Sequence, residues 1–284
     1  MRYALPVVLA LVFALVGCNA LQTDQDRVEN SLLNHPFFKS LGATSGGNRQ
    51  PPTSPCDGDT TWPLGGWRSV HDPDVSYQIS VQHPYATVDF HADWPCTLYV
   101  IYTDIPDTAI RDTVVKPAPE FHGTISFEFE FTGDSWELEA ISPCPATFDS
   151  ALGMMAIDSV EVSVRRGGRS VPYPTLHGPG LLPLDPYAYT FQPGDSVTLR
   201  LWETHAPAVE FPWTYLHGPP GHDYSPFNYD QSQGYWYGTW TINPAPQSDE
   251  ARWVWFEVLD VGSALIRKTG PDRSVLWGLP YIVE

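Results

Sequence analysis

The stretch "ISFEFEFTGDSWELEAIS", residues 125 to 142, constrains the fold more than any other part of the chain. Phe127, Phe129 and Phe131 alternate with Glu128 and Glu130, the period of two that sends successive side chains to opposite faces of a strand. Gly133-Asp134 follows as a two-residue turn with Gly first, as a type II′ turn requires. With Thr132 facing Ser135, the register predicts Phe131 opposite Trp136 and Phe129 opposite Leu138, and it sets Glu130 against Glu137 and Glu128 against Glu139. A chain organised round such a hairpin is antiparallel β. The 29 Pro and 22 Gly in 284 residues agree, because they favour many turns over long helices. The expected class is mainly β.

Further strands are predicted in "SYQISVQ", "ATVDFHAD" and "CTLYVIYTD", which are rich in β-branched and aromatic residues and separated by turn signals. Ahead of them, "DRVENSLLNHPFF" spaces Val28, Leu32 and Leu33 as a helix does, with Asp24 or Asp26 as a cap and Pro36 near the end, so a short helix is expected from about residue 25 to 35. Residues 42–59 are turn-rich and poor in apolar groups and read as a mobile loop. This order of helix, antiparallel strands and closing hairpin faintly resembles the NTF2-like and cystatin-like α+β folds, which host many functions.

At the N-terminus, Arg2 precedes an apolar run from Tyr3 to Val16, broken only by Pro6. That is short for a bilayer span and suits a signal-peptide core. Its ending, Leu15-Val16-Gly17-Cys18, resembles the lipobox of bacterial lipoproteins, which implies cleavage before Cys18 and acylation of that cysteine. Residues 1–17 are then the signal and 18–24 a tether. In that family an aspartate after the cysteine favours retention at the inner membrane; here the position is Asn19, so the resemblance implies the outer membrane. The acyl chains would hold the chain to the membrane at about 0.8 kcal/mol per buried methylene. The net charge of -18 repels phosphate backbones and disfavours nucleic-acid partners.

After "SPCPATFDSALGMM" a second series of strands begins: "AIDSVEVSV", "DSVTLRLWE", "GYWYGTWTIN", "RWVWFEVLD" and "SVLWGLPYIVE". The segment "FQPGDSVTLRL" resembles the start of a core strand in bacterial immunoglobulin-like domains, with Val197, Leu199 and Leu201 inward and Ser196, Thr198 and Arg200 outward. The expected organisation is a small α+β or β domain over 25–150, followed by an immunoglobulin-like antiparallel β-sandwich over 155–284.

Past Cys18 stand Cys56, Cys96 and Cys144. An exported chain allows one disulfide among them, and Cys96 with Cys144 is the expected pair because both border strand-like segments. The glutamate ladder 128, 130, 137 and 139 reads as a solvated outer face in preference to a metal or partner site. Leu-His-Gly-Pro occurs twice, at 176–179 and 216–219. His177, His217, His222, Asp223 and Asp230 are metal-ligand types, but no zinc spacing is present and each motif reads equally well as a strand end entering a turn. No cofactor is expected.

In "RWVWFEVLD" the core face is Val254, Phe256 and Val258, with Trp253 and Trp255 on the other side. In "GYWYGTW", Trp236, Trp240 and Ile242 point inward and Tyr235 and Tyr237 outward. Tyr235, Tyr237, Trp253 and Trp255 either form an exposed platform for sugars or a protein partner, or are covered by the N-terminal half or by loops at 205–233; covering is the expectation, because it removes an aggregation liability. GxSxG, phosphate-loop, GxGxxG and HExxH motifs are absent from the sequence. The functional expectation is therefore a lipid-anchored envelope protein that acts by binding or assembly, on envelope proteins or glycans. Its rivals are a carbohydrate-binding module using the aromatic platform and a hydrolase with its site between the halves near residues 217–230.

Overall fold

The computed structural model describes residues 22–41, 61–70, 73–104, 111–184, 189–209, 212–217, 225–243, 250–264 and 272–284. The signal and Cys18, most of the tether, Cys56, the loop expected at 42–59, and His222 with Asp223 lie outside these residues. The first helix, α1, covers Asp24–Asn34. Its N-cap is Thr23, one residue earlier than expected. Thr23 Oγ1 accepts from the Asp26 N–H and the Asp26 carboxylate accepts from the Thr23 N–H, a reciprocal capping box that satisfies two donors at the helix start. Val28 and Leu32 are fully buried, while Leu33 points out. Pro36, rather than only ending this helix, opens a second short one, α2 (Pro36–Lys39), where its missing N–H costs nothing.

Strands β1 (Thr61–Val70), β2 (Asp74–Gln82), β3 (Tyr85–Asp104), β4 (Arg111–Phe131), β5 (Trp136–Ile141) and β6 (Cys144–Thr147) precede residue 150. After it come β7 (Met155–Arg166), β8 (Arg169–Pro172), β9 (Leu176–His177), β10 (Leu182–Pro183), β11 (Thr190–Phe191) and β12 (Ser196–His205). The last are β13 (Pro212–His217), β14 (Ser225–Pro226), β15 (Asn228–Asp230), β16 (Tyr235–Thr241), β17 (Glu250–Asp260) and β18 (Ser274–Val283). The fold is mainly β, as the alternation and turn content predict. Among the described residues the strands form a twelve-stranded sheet, ordered β1-β3-β4-β6-β18-β17-β13-β14 with β2, β5, β10 and β11 attached, and a six-stranded sheet, ordered β15-β16-β12-β7-β8 with β9 on β7.

The diagnostic hairpin is β4–β5. Phe131 faces Trp136, Phe129 faces Leu138, and the Thr132 N–H donates to Ser135 O at 3.0 Å across Gly133, whose φ is +102°. Glu130 faces Glu137 as expected. Glu128 does not face Glu139: a bulge shifts the register so that Glu128 opposes Ala140. The extra residue separates two carboxylates that would otherwise repel across the ladder. The segments "ATVDFHAD" and "CTLYVIYTD" are one strand, β3, and not two. Its register shifts between Trp94 and Cys96, where Pro95 has no N–H to give the ladder.

Hydrogen bonding does not stop between residues 150 and 155. β6 pairs with β18, Cys144 opposite Gly278, and β5 pairs with β10. Buried side chains from both sheets join one core, in which Phe191 lies 5.1 Å from Tyr281 and 6.5 Å from Trp240. Cys96 and Cys144 are both buried but are not bonded to each other, which overturns the expected disulfide. They lie on β3 and β6, on opposite sides of β4. Two strand spacings, roughly 9–10 Å, exceed the ~7 Å between Cα atoms that a disulfide tolerates. Burial in apolar surroundings pushes the Cys144 thiol pKa up, so it stays protonated.

Candidate functional site

The six-stranded sheet keeps the alternation that its sequence dictates. On β12, Val197, Leu199 and Leu201 are 0% exposed, while Ser196, Thr198 and Arg200 are partly exposed on the other face. On β16, Trp240 and Ile242, just past the strand end, are buried and Tyr237 and Thr239 are exposed. The outer face therefore carries Tyr235 and Tyr237, as expected, and continuing the β12 pattern by two residues adds Trp202. Trp202 and Tyr235 meet edge to face with centroids 5.3 Å apart, and Tyr235 and Tyr237 follow at 6.2 Å. Three rings thus make one row.

Polar groups flank that row. Arg200 opposes both Tyr237 and Glu161 in the ladders, pairs with the Glu161 carboxylate, and holds its guanidinium carbon 5.7 Å from the Tyr235 centroid. Asn228 and Asp230 oppose Tyr237 and Tyr235 from β15. Asp230 Oδ1 accepts from the Ser232 hydroxyl at 2.7 Å and from the Ser232 N–H at 2.9 Å, which fixes the turn after β15. The Ser232 hydroxyl bond, with weaker help from main-chain donors and the Tyr235 hydroxyl, holds the Asp230 carboxyl below the usual range. Ring faces and edges are apolar, whereas Arg200, Glu161, Asn228 and Asp230 supply donors and acceptors beside them. Such a surface suits a ligand with flat apolar faces and hydroxyl edges.

Trp253 and Trp255 do not belong to this row. They lie on β17 in the other sheet, each 4% exposed, while Val254, Phe256 and Val258 fill the opposite face at 0%, 0% and 1%. Both faces of β17 are buried. The Trp253 Nε1–H donates to Phe37 O at 2.9 Å, so α2 covers it. Trp255 lies against Gly278, its direct neighbour on β18; a Cβ there would sit 2.7 Å from the indole. Trp94 packs edge-on to Trp255 at 5.7 Å and presses on Gly123, where a Cβ would sit 2.6 Å away. The expected four-ring platform is replaced by two rows, one buried and one half-buried with Tyr237 exposed, and the N-terminal half covers Trp253 and Trp255.

Among the described residues the metal-ligand types are not brought together. His177 is exposed on β9 opposite Ser159 in the six-stranded sheet, whereas His217 ends β13 opposite Trp255 in the twelve-stranded sheet. Among the described residues, no group of three His, Cys, Asp or Glu side chains could hold a metal. The first Leu-His-Gly-Pro is a strand end running into a turn, with Leu176 buried and Gly178 at φ +81°. Trp202 is the one member of this row that the sequence pattern did not single out, although the outward series 196, 198, 200 leads to it. Comparison with protein-family models, with curated proteins and with solved structures finds no match to this chain.

Proposed function

We propose that this chain is a lipid-anchored protein of the bacterial envelope that acts by binding, with a neutral glycan as its ligand and the outer face of the six-stranded sheet as its binding face. The observation that carries the binding reading is the row Trp202, Tyr235 and Tyr237, flanked by the Arg200–Glu161 pair on one regular sheet face. Three rings spaced along one face offer stacking surfaces in sequence, and polar side chains at their edges fix orientation. The anchor reading rests on Leu15-Val16-Gly17-Cys18 and the outer-membrane location on Asn19. The packing of β7, β12 and β16 opposite β18 through Phe191 supports an immunoglobulin-like sandwich in the C-terminal half.

Glycan-array binding by the full chain tests the ligand. Trp202→Ala and Tyr237→Ala are expected to abolish the signal, with Tyr237→Ala leaving the unfolding midpoint nearly unchanged. An array signal that both variants retain would remove the site. For the anchor, labelled palmitate is expected to enter the wild-type chain and not the Cys18→Ala variant; label that persists in the variant would sink that part.

A further inference from the structure

A cavity of about 270 Å³ opens where β6 and β18 of one sheet meet β7 of the other. Ala146, Ile157, Leu276 and Trp277 wall it, and Gly178-Pro179 of the first Leu-His-Gly-Pro motif closes one side. No charged side chain lines it. Its only side-chain hydroxyl, that of Thr147, lies 3.5 Å from the carbonyls of Phe148 and Ser274 and gives its hydrogen to the main chain. At the lip stands Leu152, 62% exposed. A large aliphatic side chain in water beside an apolar hollow gains if something apolar covers it.

We infer that this cavity holds the aliphatic tail of a neutral or zwitterionic amphiphile, with the tail inside and the head group beyond Leu152. A lining that is mostly apolar and carries no charged side chain makes burial of a polar ligand costly, since each unpaired polar group loses its water. The volume lies just under the roughly 300–1,000 Å³ of pockets for drug-sized ligands, which suits a slender chain. The opening lets the ligand extend into solvent, so one end is buried and the other is wet. The net charge of -18 selects against an anionic head. This site is separate from the aromatic row and does not depend on it.

Calorimetric titration of the full-length Cys18→Ala chain with n-octanol tests the inference, with 1,8-octanediol as the polar-ended control. The expected result is saturable one-to-one binding of octanol, clearly weaker binding of the diol, and a loss of roughly tenfold or more in Ala156→Phe, which fills the mouth, and in Leu152→Asp, which charges the lip. Leu152 is exposed, so its variant reads binding even if Ala156→Phe disturbs folding. Absence of saturable heat, diol binding as tight as octanol, or unchanged affinity in both variants would overturn it.

Discussion

The buried row Trp94, Trp253, Trp255 and the partly exposed row Trp202, Tyr235, Tyr237 are both built from aromatic residues on strands, yet one is core and the other reaches the surface. The strands themselves do not decide this. On β17 each tryptophan finds a cover: Phe37 and the main chain of α2 over Trp253, and Trp94 with Gly278 around Trp255. On β16 the cross-strand neighbours on the outer side are Arg200, Thr198 and Asn228, which keep the face wet. Exposure is set by what lies across the sheet and above it, so aromatic alternation alone marks a strand and not a site.

Substitutions should therefore separate stability from binding. Trp255→Ala is expected to lower the unfolding free energy by about 3–5 kcal/mol, because it empties a space that surrounding strands cannot close; urea unfolding measures it, and a loss below about 1 kcal/mol would deny the row its core role. Gly278→Ala adds a Cβ only 2.7 Å from the Trp255 ring and should cost about 1–3 kcal/mol in the same assay. Trp253→Phe keeps most of the ring volume and removes one of the two donors to the Phe37 carbonyl, which still accepts from the Ser40 hydroxyl, a loss of about 0.5–1.5 kcal/mol.

A pH effect supplies a further test. His35 joins α1 to α2, its Nδ1 accepting from the Phe37 N–H at 3.3 Å and its ring stacked on Phe37. Burial lowers its pKa from 6.5 to about 4, so as pH falls through that window the unfolded chain takes up the proton first. The His35 contribution is full above pH 6.5 and is lost on the way down to about 4. Thermal melts across this range should show wild type falling more steeply than His35→Asn, which retains a capping acceptor; parallel curves would refute the coupling. Smallest of all, Tyr237→Ala should change stability by no more than about 0.5 kcal/mol, and a larger loss would place that ring in the core.

Much of this was legible in the residues. Local patterns identified the β4–β5 hairpin, the inward face of β12, helix α1 and the outward tyrosines, because each depends on neighbours a few positions away. The unread features are set by distant partners. Nothing near Trp253 announces α2, and nothing near Trp255 announces Gly278. Cys96 and Cys144 both border strands, but the strand inserted between them, β4, is a matter of sheet order. The bulge that displaces Glu139 is likewise invisible to a strict alternation, although the like-charged ladder it relieves was a hint that the ideal register would not hold.

The pairing of Cys144 with Gly278 also bears on how the molecule is made. Closing so long a loop carries an entropic cost that grows with its length, and contacts of this separation slow the search for the native state. β6 waits for β18, so until that last strand arrives the middle of the twelve-stranded sheet presents an open edge, the kind of surface at which unfinished chains associate with one another.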